Sequence, residues 1–137
     1  MSSVLITVGM LRFTARFEEA AAPKTCAAFR TLLPFERNLI QTRWSGEAAW
    51  VPLGDLDLKV PLENATSYPA RGEILFYPKG MSETELLFPY GSTRFASKVG
   101  QLAGSHFLTL TSGLELLGDL GMLVLWKGTQ MISISAA

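Results

Sequence analysis

Gly72-Glu73-Ile74-Leu75-Phe76-Tyr77-Pro78, then Lys79-Gly80-Met81-Ser82, then Glu83-Thr84-Glu85-Leu86-Leu87-Phe88-Pro89-Tyr90-Gly91 decide the fold class of this chain. Two apolar, aromatic-bearing runs flank a four-residue link of turn formers. Each run is bounded by Gly or Pro and is too short for a buried helix, so the pair predicts a β-hairpin. A second turn is expected at Gly91-Ser92-Thr93.

Working outward, the same grammar repeats. Val4 to Val8 is a β-rich run, Gly9 breaks it, and Leu11-Arg12-Phe13-Thr14-Ala15-Arg16-Phe17 alternates apolar with polar, the mark of a half-buried strand. Further strands are predicted at Asn38 to Trp44, Trp50 to Leu53, His106 to Thr111, Met122 to Lys127 and Gln130 to Ser135. Asp55 to Val60 alternates too, but Pro52 and Pro61 confine it to an edge strand or an extended loop. Two short helices interrupt the pattern. Pro23 to Leu33 places Cys26, Phe29, Leu32 and Leu33 on one face and is stopped by Pro34. Ser112 to Leu120 is the other, with Gly121 as its expected terminator. About eight strands and two helices suit a closed, mainly β barrel, in which closure removes the exposed sheet edges.

The 137 residues fit one domain, residues 1–137. Lys plus Arg and Asp plus Glu are 12 each, and no basic stripe is present, which argues against a nucleic-acid partner. The lone Cys26 excludes an intrachain disulfide and sits on the apolar helix face as a buried thiol. One His and one Cys, without a spaced carboxylate cluster, make no metal site. No phosphate loop, dinucleotide fingerprint or Ser-His-Asp motif is present, so no cofactor is expected. No apolar run reaches the roughly 20 residues of a membrane span. Met1-Ser2-Ser3-Val4 lacks the pattern of a signal peptide, so the cytoplasm is the expected compartment. With 48% hydrophobic and only 18% charged residues, much of the chain is buried or covered by a partner, and a homo-oligomer fits.

The candidate pocket wall is Arg43-Trp44-Ser45-Gly46-Glu47-Ala48-Ala49-Trp50. Two indoles supply area, and a guanidinium and a carboxylate supply orientation. Arg43 reads either as a bidentate carboxylate binder or as an ion-pair partner of Glu47 or Glu36. Glu47 reads either as a proton-transfer group desolvated by Trp44 and Trp50 or as a surface ion-pair member. His106, the single histidine, is a general acid or base, or a hydrogen-bonded structural residue at a strand start. Tyr77 and Tyr90 end strands beside prolines and either point hydroxyls into a barrel mouth or pack at its rim. Ser92 and Thr93 are ligand donors or simple turn formers. Arg94 and Lys98 are second-choice anion binders or, as charged residues usually are, simply solvated.

Three segments carry a family resemblance. Ala22-Pro23-Lys24-Thr25, with Phe29 and Leu32, resembles the first-helix signature of cyclophilins, although Ala28 stands where that signature has Asn. Gly72 to Pro78 resembles the Gly-Asp-Ile-x-Tyr-Tyr-Pro of smaller bacterial cyclophilin-like proteins. Gly104-Ser105-His106-Phe107 is similar to their Gly-Asn-x-Phe. The Arg-Trp-Ser-Gly-Glu run is similar to one such family, described as a domain of unknown function. The resemblance implies a closed eight-stranded cyclophilin-like barrel. Of the residues an isomerase needs around proline, only Arg43 falls near a matching position. The Phe-Met-x-Gln that would follow is Trp44-Ser45-Gly46-Glu47 here, and the Phe-Phe-Ile segment is absent. Opine-forming enzymes look like the same barrel put to other chemistry.

The expectation is therefore a barrel protein binding a small organic acid or amino-acid-like ligand at the barrel mouth. His106 and Glu47 are the candidates for proton transfer. Arg43, Trp44, Trp50, Tyr77, Tyr90, Ser92, Thr93 and Phe107 are the candidates for ligand contact. Whether chemistry follows binding stays open. A prolyl-isomerase-like peptide module and a non-catalytic assembly partner are the alternatives.

Overall fold

The structure, a computed structural model, describes residues 2–137. The strands are β1 (Ser3–Val8), β2 (Leu11–Phe17), β3 (Phe35–Gln41), β4 (Gly46–Gly54), β5 (Ala65–Thr66), β6 (Glu73–Tyr77), β7 (Thr84–Thr93), β8 (Ala96–Ser97), β9 (Gly100–Gln101), β10 (Gly104–Ser112) and β11 (Gln130–Ala136). The helices are α1 (Pro23–Arg30) and α2 (Leu117–Met122). The main sheet runs β2-β1-β11-β3-β4-β7-β6-β10, every ladder antiparallel. β10 then pairs back onto β2, with Leu108 opposite Phe17 and Leu110 opposite Ala15. Eight strands thus close a mainly β barrel that leaves no free edge in the ring. β5 pairs with β10 beside the ring, and β8 and β9 form a small separate ladder.

Strand alternation fills the interior. Val4, Ile6 and Val8 from β1, Phe13, Ala15 and Phe17 from β2, Ile74 and Phe76 from β6, and Leu86 and Phe88 from β7 belong to one buried cluster. β10 departs from strict alternation at a bulge between His106 and Leu108, and the adjacent Phe107 and Leu108 are both buried. α1 adds Cys26 and Phe29, and α2 adds Leu117 and Leu120. Phe29 meets Phe107 at 5.0 Å and Phe35 at 5.4 Å between ring centroids, in the edge-on or tilted geometry that aromatic quadrupoles prefer.

α1 has Pro23 in its first turn and no capping side chain of its own. Glu63 supplies the cap from 38 residues away. Its carboxylate accepts from the Thr25 amide at 2.7 Å, the Thr25 hydroxyl at 2.8 Å and the Lys24 amide at 3.2 Å. Burial works to raise the Glu63 pKa, but these hydrogen bonds and the Lys24 charge outweigh it and hold the group below its usual range.

Three local expectations are corrected. Met122 to Lys127 is helical, because α2 runs on through a π turn at Leu123–Lys127. Gly121 does not end α2; a Cβ there would sit 2.5 Å from the Tyr90 ring, so the glycine serves close packing. The stop comes at Gly128, with φ of 93°. Gly91-Ser92-Thr93 is no turn but the end of β7, paired to β4 through Thr93 and Gly46. Residues 55–60 form no strand, leaving the extended loop.

Candidate functional site

The outer wall of the barrel explains why β7 is buried on both faces from Thr84 to Pro89. Its inward residues meet the core. Its outward residue Leu87 joins Ala48 of β4 and Leu75 and Tyr77 of β6 in a second cluster, closed by Phe95 and Leu102. Phe95 and Leu102 flank the β8–β9 ladder, so this ladder is part of a flap laid over the outer wall. Trp50 packs at the margin of that cluster.

At the margin the cover is incomplete and a cavity of about 330 Å³ opens. Ile40, Gln41 and Trp50 come from β3 and β4. Thr42, Arg43, Trp44 and Ser45 come from the link between them. Ala96, Ser97 and Lys98 come from the flap, and Ser82 and Glu85 from the β6–β7 side. The link and the flap are tied through buried Ser45. Its hydroxyl donates to the Ala96 carbonyl and accepts from the Ala96 amide, each at 3.1 Å, and its carbonyl accepts from the Arg94 amide at 3.0 Å.

Glu85 is the residue that sequence reading passed over. It is only 6% exposed and lines the cavity. Among the described residues it has no hydrogen-bond or ion-pair partner. No fully enclosed side-chain polar atom lacks a partner among these residues, so the Glu85 carboxyl reaches the cavity space. Burial, reinforced by the nearby Glu83 charge, pushes its pKa up to about 8. Arg43 and Lys98 line the same cavity but form no ion pair with it among the described residues. The cavity thus combines an unpaired acid, two exposed cations, two indoles and several hydroxyls.

Of the residues singled out from sequence, Arg43, Trp44 and Trp50 meet at this cavity, and Lys98 joins them. The others lie elsewhere. Glu47 is exposed on β4 and accepts from the Ser92 amide at 2.8 Å, clasping β4 to β7. A Cβ on Gly91 would strike that carboxylate at 2.5 Å, which explains the glycine. Ser92 is exposed there, and the Thr93 hydroxyl donates to the Glu47 carbonyl at 3.0 Å. Tyr90 donates to Gln41 Oε1 at 2.6 Å, just behind the cavity. The Tyr77 hydroxyl accepts from the Met81 amide at 2.9 Å and so is used within the β6–β7 turn. His106 Nε2 lies 2.7 Å from the Thr109 hydroxyl, which in turn donates to Glu18. Phe107 is fully buried in the core. This cavity lies on the outer wall, on the face that Trp50 shares with Leu87, while the barrel interior is filled by aromatic and aliphatic side chains.

Other sites offer less chemistry. Cys26 donates its thiol to the Phe107 carbonyl at 3.6 Å, and burial pushes its pKa up to about 11. Among the described residues no group of three or more His, Cys, Asp or Glu side chains could hold a metal, and no helix is long and apolar enough to cross a membrane.

The whole barrel is similar to a protein solved as McbB in complex with tryptophan, with a TM-score of 0.74 at 14% identity, covering 97% of this chain. The chain spans 44% of that protein's length. It is also similar to the hypothetical protein AF2241 from Archaeoglobus fulgidus, with a TM-score of 0.57 at 16% identity, covering 99% of this chain and 95% of that one. These likenesses establish a shared fold. No curated protein sequence matches the chain. The family model described as "Protein of unknown function (DUF3830)" matches residues 4–136, almost the full length, and the chain therefore belongs to the DUF3830 family.

Proposed function

We propose that this protein binds a small organic acid or amino-acid-like molecule in the outer-wall cavity beneath the flap. The observation that carries the reading is the buried, unpaired Glu85 carboxyl in a cavity that also holds Arg43, Lys98, Trp44 and Trp50. An acid end of the ligand would meet Arg43 and Lys98 at the exposed rim. Its apolar body would lie along Trp50 and Ile40, and Ser82 and Ser97 would supply hydroxyls. The tryptophan bound to the McbB structure supports an amino-acid-sized occupant for this fold. Proton transfer in this reading falls to Glu85 rather than to Glu47 or His106, because only Glu85 of the three lines the cavity.

The test is a thermal-shift screen of carboxylic and amino acids, tryptophan among them, on the intact chain. A hit should raise Tm, and Arg43→Ala should abolish the rise while leaving the unliganded Tm within the range of a surface substitution. A hit that stabilises Arg43→Ala and Trp50→Ala as strongly as the parent protein would refute the placement.

A second reading, an assembly role, draws on a different observation. Met122 is 58% exposed, and Leu125 and Trp126, one helical turn further on, are 52% and 74% exposed. Sedimentation equilibrium separates the two: a concentration-dependent mass that Trp126→Ser removes supports assembly. The prolyl-isomerase reading within the cyclophilin-like proposal predicts turnover of a proline peptide that is lost in Arg43→Ala.

A further inference from the structure

Resting on the reading of the cavity as a ligand site, we infer that Glu85 holds a cationic amine of the ligand, so that the molecule taken is an amino acid rather than a plain organic acid. Glu85 is a carboxylic residue only 6% exposed and, among the described residues, without a partner, an arrangement that costs a protein free energy. Arg43 and Lys98 line the same cavity, yet among the described residues neither is paired with it. A purely structural Glu at this position would gain from either cation, or be replaced by an apolar residue of the same shape at no loss. Held open instead, the carboxyl is complementary to a positive group arriving with the ligand. An ammonium entering between Glu85 and Trp50 would find a carboxylate and an aromatic face together. The acid end of the same molecule would then point outward to Arg43 and Lys98. A ligand with only a carboxylate leaves Glu85 unsatisfied and places a second acid near it.

The groups facing Glu85 set its proton balance. Its ladder partner on β4 is Pro52, which carries no charge, and on β6 it is Tyr77, whose hydroxyl is engaged with Met81. Glu83 lies two residues before it in the chain, Arg43 enters from the β3–β4 link, and Lys98 enters from the flap. Before binding, burial keeps the proton on Glu85 near neutral pH. Binding of an ammonium expels that proton to solvent while, near neutral pH, the ammonium keeps its own, so about one proton leaves per ligand at pH 7 and the release falls as pH rises through the Glu85 pKa.

Isothermal titration in buffers of different ionisation enthalpy reads this directly. The probes are matched pairs: L-tryptophan against indole-3-propionate, and L-phenylalanine against 3-phenylpropionate. The amino acid of a pair should bind about tenfold or more tighter than its deaminated acid. About one proton should be released at pH 7, and Glu85→Gln should abolish the release together with the preference. Glu85→Gln keeps shape and should fold, which its unliganded Tm checks. Acids that bind as tightly as amino acids, with no proton released, overturn the inference and leave the pocket reading standing. Failure of all probes to bind overturns both.

Discussion

The N-terminus of α1 and the floor of the outer-wall cavity each hold one carboxylate, and the chain treats them in opposite ways. Glu63 is reached by three donors and sits at the positive end of a helix, so its charged form is favoured and its pKa is lowered despite burial. Among the described residues Glu85 has no donor and no cation on it, so burial dominates and its pKa climbs to about 8. The same side chain is a structural rivet in one place and a reservoir of unfavourable energy in the other. Groups satisfied by their own protein explain folding. A group left unsatisfied inside a cavity asks for a partner from outside.

The contrast breaks most sharply at Glu85. Its raised pKa means the native state keeps a proton that the unfolded chain has already lost. Its contribution to stability is therefore full below the ordinary carboxyl value of 4.5 and is lost as pH rises to about 8. Glu85→Gln should thus leave stability at about pH 4 unchanged and raise it at about pH 9, by up to about 4 kcal/mol. Urea unfolding at the two pH values measures this. Equal effects at both would mean that the carboxyl is paired in solution.

Glu63 should behave in mirror image. Its lowered pKa makes its contribution present above the usual carboxyl range and lost as pH falls through the folded-state value. Glu63→Gln should destabilise the protein by about 1–2 kcal/mol at neutral pH, the usual size of a lost helix cap, and by less in acid. A loss that does not shrink on acidification would show that shape, not charge, makes the cap. One step further out, the buried Ser105 hydroxyl accepts from the Glu63 amide at 2.9 Å. Ser105→Ala strands that amide and should cost about 1 kcal/mol at every pH, because no titrating group is removed.

These two carboxylates also mark where sequence reading stopped. The eight ring strands were legible because each has an inner apolar face, as in β2 and β11, and because Gly and Pro punctuate them. Arg43, Trp44 and Trp50 were legible because large aromatics beside a charge are unusual in a turn. Glu85 was not. Glu83-Thr84-Glu85 before Leu86 has the look of a solvated strand start, and only the flap at Phe95 to Leu102, ten or more residues away, turns its outer side inward. Glu63 escaped for the same reason, since its partners are 38 and 39 residues upstream. The apolar run from Met122 to Trp126 has the composition of a strand. Its helical state follows from continuation of α2, with Gly121 fitted against Tyr90 instead of ending the helix.

The smallest effect expected lies between the two extremes, at Tyr90. Its hydroxyl donates to Gln41 Oε1 at 2.6 Å, and Gln41 Nε2 donates to the carbonyls of Gly46 at 3.0 Å and Thr42 at 3.2 Å. One amide side chain therefore brackets the link that presents Arg43 and Trp44 to the cavity, and Tyr90 fixes that amide. Burial raises the Tyr90 pKa, and the Glu47 charge raises it further. The donor thus persists into more alkaline solution than an exposed tyrosine would. Tyr90→Phe removes one neutral hydrogen bond next to a cavity, so its stability cost should be at most about 1 kcal/mol. Its effect on ligand affinity should be a loss of about threefold, through a looser link rather than a missing contact. Gln41→Ala removes all three bonds and should weaken binding further without touching the Glu85 proton release. If Tyr90→Phe instead abolished that release, the tyrosine and the acid would form one titrating unit, and the division drawn here between a pre-satisfied frame and an unsatisfied floor would fail.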